Sequence, residues 1–337
     1  MNTKRKKILL ITTGGTIASA PGSDGLRPRT SEALSEALGS LTAHYEILVR
    51  DLMCLDSSNI QPEQWQAIAR CVFAERTGCD GMVISHGTDT MAYTASMLSF
   101  MLPGIDLPVV LTGAQLPLLD PLSDGPDNLR AAFAMAASGC AGVFLAFGRK
   151  IMRGCRAVKV RASGFDAFES INSRYVAQVT GSGLVLDRRL LPKSGQTPEL
   201  RDRLNQRVFL LKLTPGLEPA IFDVLVDLGY RGIVVEAFGL GGMHFLNRDL
   251  SGGIRRAVER GVSVVILSQC LYDSSDLHVY QVGRRLLEAG VIQGRDMTTE
   301  AAVTKLMWAL GQECSMEEIR SLFARSLAGE ITEPDPE

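Results

Sequence analysis

The chain has 337 residues, 46% of them hydrophobic and 21% charged, which excludes a wholly disordered protein and predicts two domains, because one core rarely keeps growing to this length. Lys plus Arg number 35 against 37 Asp plus Glu, so the net charge is −2. No global field draws such a chain onto nucleic acid or an anionic membrane, and neither is expected as a partner.

The one basic run, Lys4-Arg5-Lys6-Lys7, reads as a solvated leader before a first strand. With Ile8-Leu9-Leu10-Ile11 and Ala18-Ser19-Ala20 it mimics a secretory signal. The mimicry fails on length, since Thr12-Thr13-Gly14-Gly15 interrupts the apolar run short of the roughly 7–15 residues needed. No window reaches the roughly 18 apolar residues of a membrane helix. The 7 cysteines are scattered with no C-x-x-C pair, which favours reduced thiols in a cytoplasm over a disulfide framework or zinc site. His44, His86, His244 and His278 are isolated and read as structural, so no metal and no cofactor are expected.

Residues 7–13 are apolar and β-branched at their centre and end in a Gly-Gly turn, a strand. Residues 45–50 read as a second strand. Residues 62–77 carry Trp65, Ile68, Ala69, Val72 and Phe73 at helical spacing, with Pro62 suited to the first turn. A strand at 81–85, a helix at about 89–101, a strand at 108–111, a helix at 127–137 and a strand at 142–147 continue the alternation. Such βα units imply a parallel sheet covered by helices on both faces. Residues 150–186 change to short alternating segments that suggest hairpins. A polar stretch with Pro192, Gly195 and Pro198 then reads as a linker. Strands at 208–213, 233–236 and 262–267 alternate with helices near 218–228 and 250–260. A last helix starts near Met316 behind the capping box Ser315/Glu318. The fold class is α/β: a doubly wound parallel-sheet N-terminal domain (1–190), a linker (191–207) and a smaller α/β C-terminal domain (208–337).

In an open parallel sheet ligands bind beyond the carboxyl ends of the strands. Those ends carry Thr13-Gly14-Gly15-Thr16, Asp56-Ser57-Ser58, His86-Gly87-Thr88-Asp89-Thr90 and Thr112-Gly113-Ala114-Gln115. Singly, each admits a plain reading. Thr-Gly-Gly-Thr is a tight turn, or a phosphate loop lacking the usual glycine pattern; Thr88-Asp89 is a helix cap; Lys159 is a solvated strand lysine. Together, two threonines, a carboxylate and a lysine are the parts of an activated-hydroxyl acyl-transfer site, in which a lysine of lowered pKa serves as base.

Ile11-Thr12-Thr13-Gly14-Gly15-Thr16-Ile17-Ala18 and Ile84-Ser85-His86-Gly87-Thr88-Asp89-Thr90-Met91-Ala92-Tyr93-Thr94 resemble the two signature motifs of the bacterial-type L-asparaginases, specifically the cytoplasmic type I branch. Matches continue through Leu98–Leu102, Leu111–Gln115, Ser123-Asp124-Gly125, Arg153–Lys159, Gly164–Phe168, Gly290-Val291-Ile292, Asp296-Met297-Thr298 and Thr304-Lys305-Leu306, nearly the whole chain in order. The resemblance implies hydrolysis of the side-chain amide of L-asparagine to L-aspartate and ammonia through a threonine-linked β-acyl-enzyme. By it Thr16 is the nucleophile; Lys159 moves protons through Thr88; Asp89 fixes the substrate's α-amino group; Asp56, Ser57 and Ser58 hold its α-carboxylate and α-amino ends; and the backbone of Ala114 lies near the leaving amide. Which threonine acts first stays open. Leu26 stands where many members have an activating tyrosine, and Tyr280 is the proposed substitute, with a buried structural tyrosine as its alternative. Asn59 replaces a common aspartate. Val158 replaces a threonine of a regulatory site, so that regulation is not expected. A homodimer or homotetramer in the cytoplasm is implied. The alternatives are a glutaminase-asparaginase of broad preference, the amidase component of a tRNA-dependent amidotransferase (which normally carries a further N-terminal module), and a non-catalytic asparagine sensor.

Overall fold

Ile8, Leu9, Leu10 and Ile11 are all buried although successive strand side chains point to opposite faces, which places their strand inside a sheet covered on both sides. The computed structural model describes residues 5–15, 17, 19–22, 25–28, 35–191 and 195–333. It divides into two compact units, Met1–Asp202 and Arg203–Glu337. The first unit runs β1 (Lys6–Gly14), β2 (Ser19–Gly22), β3 (Gly25–Pro28), α1 (Ser35–Thr42), β4 (Tyr45–Leu55), α2 (Pro62–Glu75), β5 (Gly81–Ser85), α3 (Met91–Met101), β6 (Pro108–Thr112), α4 (Gly125–Ala136), β7 (Gly142–Phe147), β8 (Lys150–Arg153), β9 (Ala157–Lys159), β10 (Phe168–Ser170), β11 (Ala177–Thr180) and β12 (Gly183–Leu186).

Among the described residues, eight strands form one sheet in the order β12-β11-β8-β7-β6-β5-β1-β4. The strands β4, β1, β5, β6 and β7 are mutually parallel. The last three, β8, β11 and β12, join antiparallel, so the sheet is mixed where alternation alone predicted a parallel one, and the hairpin texture of 150–186 is its antiparallel flank. The β7–β8 turn is the two-residue Gly148-Arg149, both at positive φ, the geometry that suits a tight hairpin. Counted along the chain, the parallel strands stand in the order 2-1-3-4-5, which puts the topological switch between β1 and β5.

Helix α2 follows from its sequence: Pro62 in the first turn, a Gln61/Gln64 capping box, and Trp65, Ile68, Ala69 and Val72 buried at helical spacing. Trp65 Nε1 donates to Thr94 Oγ1 at 3.0 Å, docking α2 on α3. Against the other face of the sheet, Leu129, Ala132, Phe133 and Ala136 of α4 and Leu38 and Leu41 of α1 share a core with Ile8, Leu10, Val83 and Val110.

The second unit runs β13 (Val208–Lys212), α5 (Ala220–Asp227), β14 (Gly232–Ala237), α6 (Leu250–Glu259), β15 (Ser263–Ser268), α7 (Gln281–Glu288), β16 (Ile292–Gln293), α8 (Thr299–Gly311) and α9 (Met316–Ala324). Its sheet, β13-β14-β15-β16, is parallel throughout. The Ser315/Glu318 box caps α9. Helix α8 escapes the sequence reading because residues 301–306 are all buried, leaving no polar face and hence no amphipathic period.

Candidate active site

The switch between β1 and β5 is where the Gly14-Gly15 and His86–Thr90 loops leave the sheet, flanked by 56–59 after β4 and 113–115 after β6. Small residues let these loops stack backbone on backbone. Gly15 has φ +85°, and a Cβ there would stand 2.3 Å from Gly87 N; a Cβ on Gly87 would stand 2.5 Å from Ser57 Oγ. Thr13 Oγ1 donates to Ser85 O at 2.8 Å and Gly15 N to Leu55 O at 3.0 Å, tying β1 to both neighbours.

His86 is fully buried, with Nδ1 2.7 Å from Gly87 O and Nε2 2.9 Å from Thr94 Oγ1. Gly87 O can only accept, so the proton of the neutral ring sits on Nδ1, and Nε2 accepts from Thr94 Oγ1, which itself accepts from Trp65. Burial pulls the imidazole down to about 4, against the opposing hydrogen bond to Gly87, so it is neutral near pH 7. This chain of bonds anchors the loop from beneath.

Above it stands the cluster the sequence points to. Thr88 is buried, and Lys159 Nζ donates to its Oγ1 at 2.8 Å and to Asp89 Oδ1 at 2.6 Å. The lysine side chain is 16% exposed, so it is not a solvated strand lysine, while that of Asp89 is 62% exposed and faces solvent. Helix α3 begins at Met91 with Thr90 at its N-cap position, and Thr90 Oγ1 donates to Ser57 O at 2.7 Å. Thr88 and Asp89 therefore do not cap the helix.

Asp56 accepts from Ser58 N at 2.8 Å, capping the 3-10 turn Ser57–Asn59. Ser57 is buried and its Oγ accepts from Asp89 N at 3.3 Å; Ser58 is exposed. Ala114 is fully buried with its methyl in the core. The structure thus brings Asp56, Ser57, Ser58, Thr88, Asp89 and Lys159 to the strand ends. Thr16 lies outside the described residues, as does the side chain of Leu26. Tyr280 belongs to the second unit, at the N-cap position of α7, and is 56% exposed rather than buried.

Gln115 is marked by the sequence only as part of a motif. Its Oε1 accepts from Thr88 Oγ1 at 3.3 Å, and its Nε2 donates to Ala162 O at 3.1 Å and Gly164 O at 3.0 Å. Asp124 accepts from Gln115 N at 2.9 Å, and Asn128 Nδ2 donates to Gly113 O at 3.0 Å, fixing the loop. The available signal is a polar amide placed just past a strand end. Among the described residues no group of His, Cys, Asp and Glu is arranged to hold a metal ion, and no helix is long and apolar enough to cross a membrane.

Residues 7–191 match the family described as Asparaginase, N-terminal, and residues 207–323 the Glutaminase/Asparaginase C-terminal domain. The chain belongs to the asparaginase family. It is 44% identical to an L-asparaginase of Thermococcus kodakarensis over 97% of this chain and 99% of that one. A solved structure of the thermostable L-asparaginase from that organism matches with a TM-score of 0.92 and 43% identity, covering 97% of this chain and 100% of the other. L-asparaginase I from Vibrio cholerae matches with a TM-score of 0.86 and 35% identity, over 98% and 100%. A component of the glutamyl-tRNA(Gln) amidotransferase of Pyrococcus abyssi is 40% identical over 97% of this chain and 77% of its own length. As an asparaginase-family chain, this protein carries its strand-end cluster within the N-terminal family domain.

Proposed function

We propose that this chain hydrolyses the side-chain amide of L-asparagine to L-aspartate and ammonia. The observation that carries the reading is Lys159 bridging Thr88 and Asp89 at the switch point of an asparaginase-family sheet. Thr16 is the nucleophile of the proposal. Its oxygen attacks the amide carbon, the C–N bond breaks, and the hydroxyl proton leaves with the nitrogen as ammonia. Water then attacks the resulting β-acyl ester, and Thr16 recovers its proton as aspartate departs. The balance needs water alone. Lys159 and Thr88 form a proton path, the exposed carboxylate of Asp89 receives the substrate ammonium, and Ser57 and Ser58 face its carboxylate. Backbone N–H groups of the packed loops serve the developing oxyanion. Tyr280 is proposed to assist. The proposal places the enzyme in the cytoplasm as a homodimer or homotetramer.

Two other readings are set apart by the same experiment. A broad glutaminase-asparaginase releases ammonia equally well from glutamine. An amidotransferase component, suggested by the Pyrococcus abyssi relative, passes the nitrogen to an acceptor rather than releasing it. Ammonia and aspartate are measured together from L-asparagine and L-glutamine, with no acceptor present. Selective one-to-one release from asparagine, falling roughly 10⁴-fold or more in Thr16→Ala, is expected. A folded wild type that binds asparagine but releases nothing sinks the hydrolase reading and leaves the amidotransferase component and the sensor, which adding an aminoacylated-tRNA acceptor separates.

A further inference from the structure

We infer that Gln115 is a positioning residue for Thr88, setting the direction of its hydroxyl proton while gripping the loop that follows Lys159. The inference rests on the hydrolase reading and adds to it a residue to which the signature motifs give no role. The amide has only one orientation that satisfies its neighbours. Nε2 faces two carbonyl oxygens, Ala162 O at 3.1 Å and Gly164 O at 3.0 Å, and must be the donor end. Oε1 is then the end turned to Thr88 Oγ1, 3.3 Å away. A flipped amide would set its oxygen against both carbonyls.

With Gln115 so held, the Thr88 hydroxyl has one arrangement. It gives its proton to Gln115 and turns a lone pair to Lys159 Nζ at 2.8 Å. The 3.3 Å contact is long for an O–H donor, so it orients the hydroxyl without locking it, and the proton can be redirected during turnover. The grip on Ala162 and Gly164 acts on the same cluster from the other side. Both belong to the β9–β10 loop, which is closed by Val160 N donating to Ala167 O at 2.8 Å and begins directly after Lys159. Gln115 itself is held rigidly through Asp124.

Gln115→Met and Gln115→Glu separate the two effects. Both remove the amide donors to Ala162 and Gly164; glutamate keeps an acceptor facing Thr88 and is assayed down to a pH at which its second oxygen is protonated, so that no carboxylate is set against the two carbonyls. We expect kcat for L-asparagine to fall about 10-fold in Gln115→Met with KM changed less than about 2-fold, and to recover to within about 3-fold of wild type in Gln115→Glu. Thermal melting of each variant establishes that it is folded. Equal kcat losses in the two variants, or a change confined to KM or to melting temperature, overturn the positioning role while leaving the hydrolase reading intact. A wild type that releases no ammonia removes both.

Discussion

Ser85 shows at the scale of one residue what the site costs. Its Oγ is buried without a hydrogen-bond partner among the described residues, although its carbonyl takes the Thr13 hydroxyl and its neighbour His86 is fully bonded. A buried hydroxyl left unpaired carries a desolvation penalty with no return. Ser85→Ala is therefore expected to raise the urea midpoint of unfolding, by about 1 kcal/mol of stability. A lower midpoint would show that the hydroxyl has a partner in solution. Single residues are the least legible part of the sequence. Lys159 on an alternating strand looks solvated until the fold places it against Thr88, 71 positions earlier in the chain. Thr88 and Asp89 look like a cap until the helix starts at Met91.

Among the elements, α8 depends on a feature invisible to periodicity. Lys305 is completely buried, donates to Arg325 O, and pairs with the equally buried Glu330. Burial alone would raise the Glu330 carboxyl, but Lys305 and the Leu327 and Ala328 N–H groups outweigh it and hold the group below the usual range. The pair fastens the segment after α9 to α8. Lys305→Met leaves the buried carboxylate with its N–H donors but without its counter-charge, so a loss of roughly 3 kcal/mol in unfolding free energy is expected by urea titration. A loss under about 1 kcal/mol would mean that the carboxylate finds water or takes up a proton cheaply. Helices α2 and α9 are readable because polar residues mark the outward side and capping residues mark the ends, whereas α7, eight residues with Val282 and Leu286 as its buried apolar side chains, is too short to show a period. The largely buried α8 has an N-cap, Thr298 accepting from Ala301 N, but no polar face to show its period.

For the whole molecule, two buried groups, one in each unit, make contributions to stability that depend on pH with opposite sign. His86 titrates near 6.5 when unfolded and about 4 when folded, so the unfolded chain binds the extra proton between those values. Its contribution to the first unit is complete above pH 6.5 and is lost as pH falls toward 4, by up to about 3 kcal/mol. Glu300 in the second unit is the reverse. Burial raises its carboxyl from 4.5 to about 7, so its contribution is complete below pH 4.5 and is lost as pH rises through 7. Glu300→Gln should raise the calorimetric melting temperature of the full chain at pH 8 and leave it nearly unchanged at pH 4.5. Equal shifts at both pH values would exclude this linkage.

Hydrophobic runs, turn residues and caps by themselves determined the α/β class, the five parallel strands of the first unit, three strands of the second and the strand ends on which polar and glycine residues gather, because these signals are local and repeat with the period of the backbone. Only the tertiary structure decided the 2-1-3-4-5 order, the antiparallel flank and the contacts of Lys159 and Gln115 with Thr88. Those join residues tens of positions apart, and which of them meet is settled by how strands pair and loops pack, for which a single sequence carries no periodic mark.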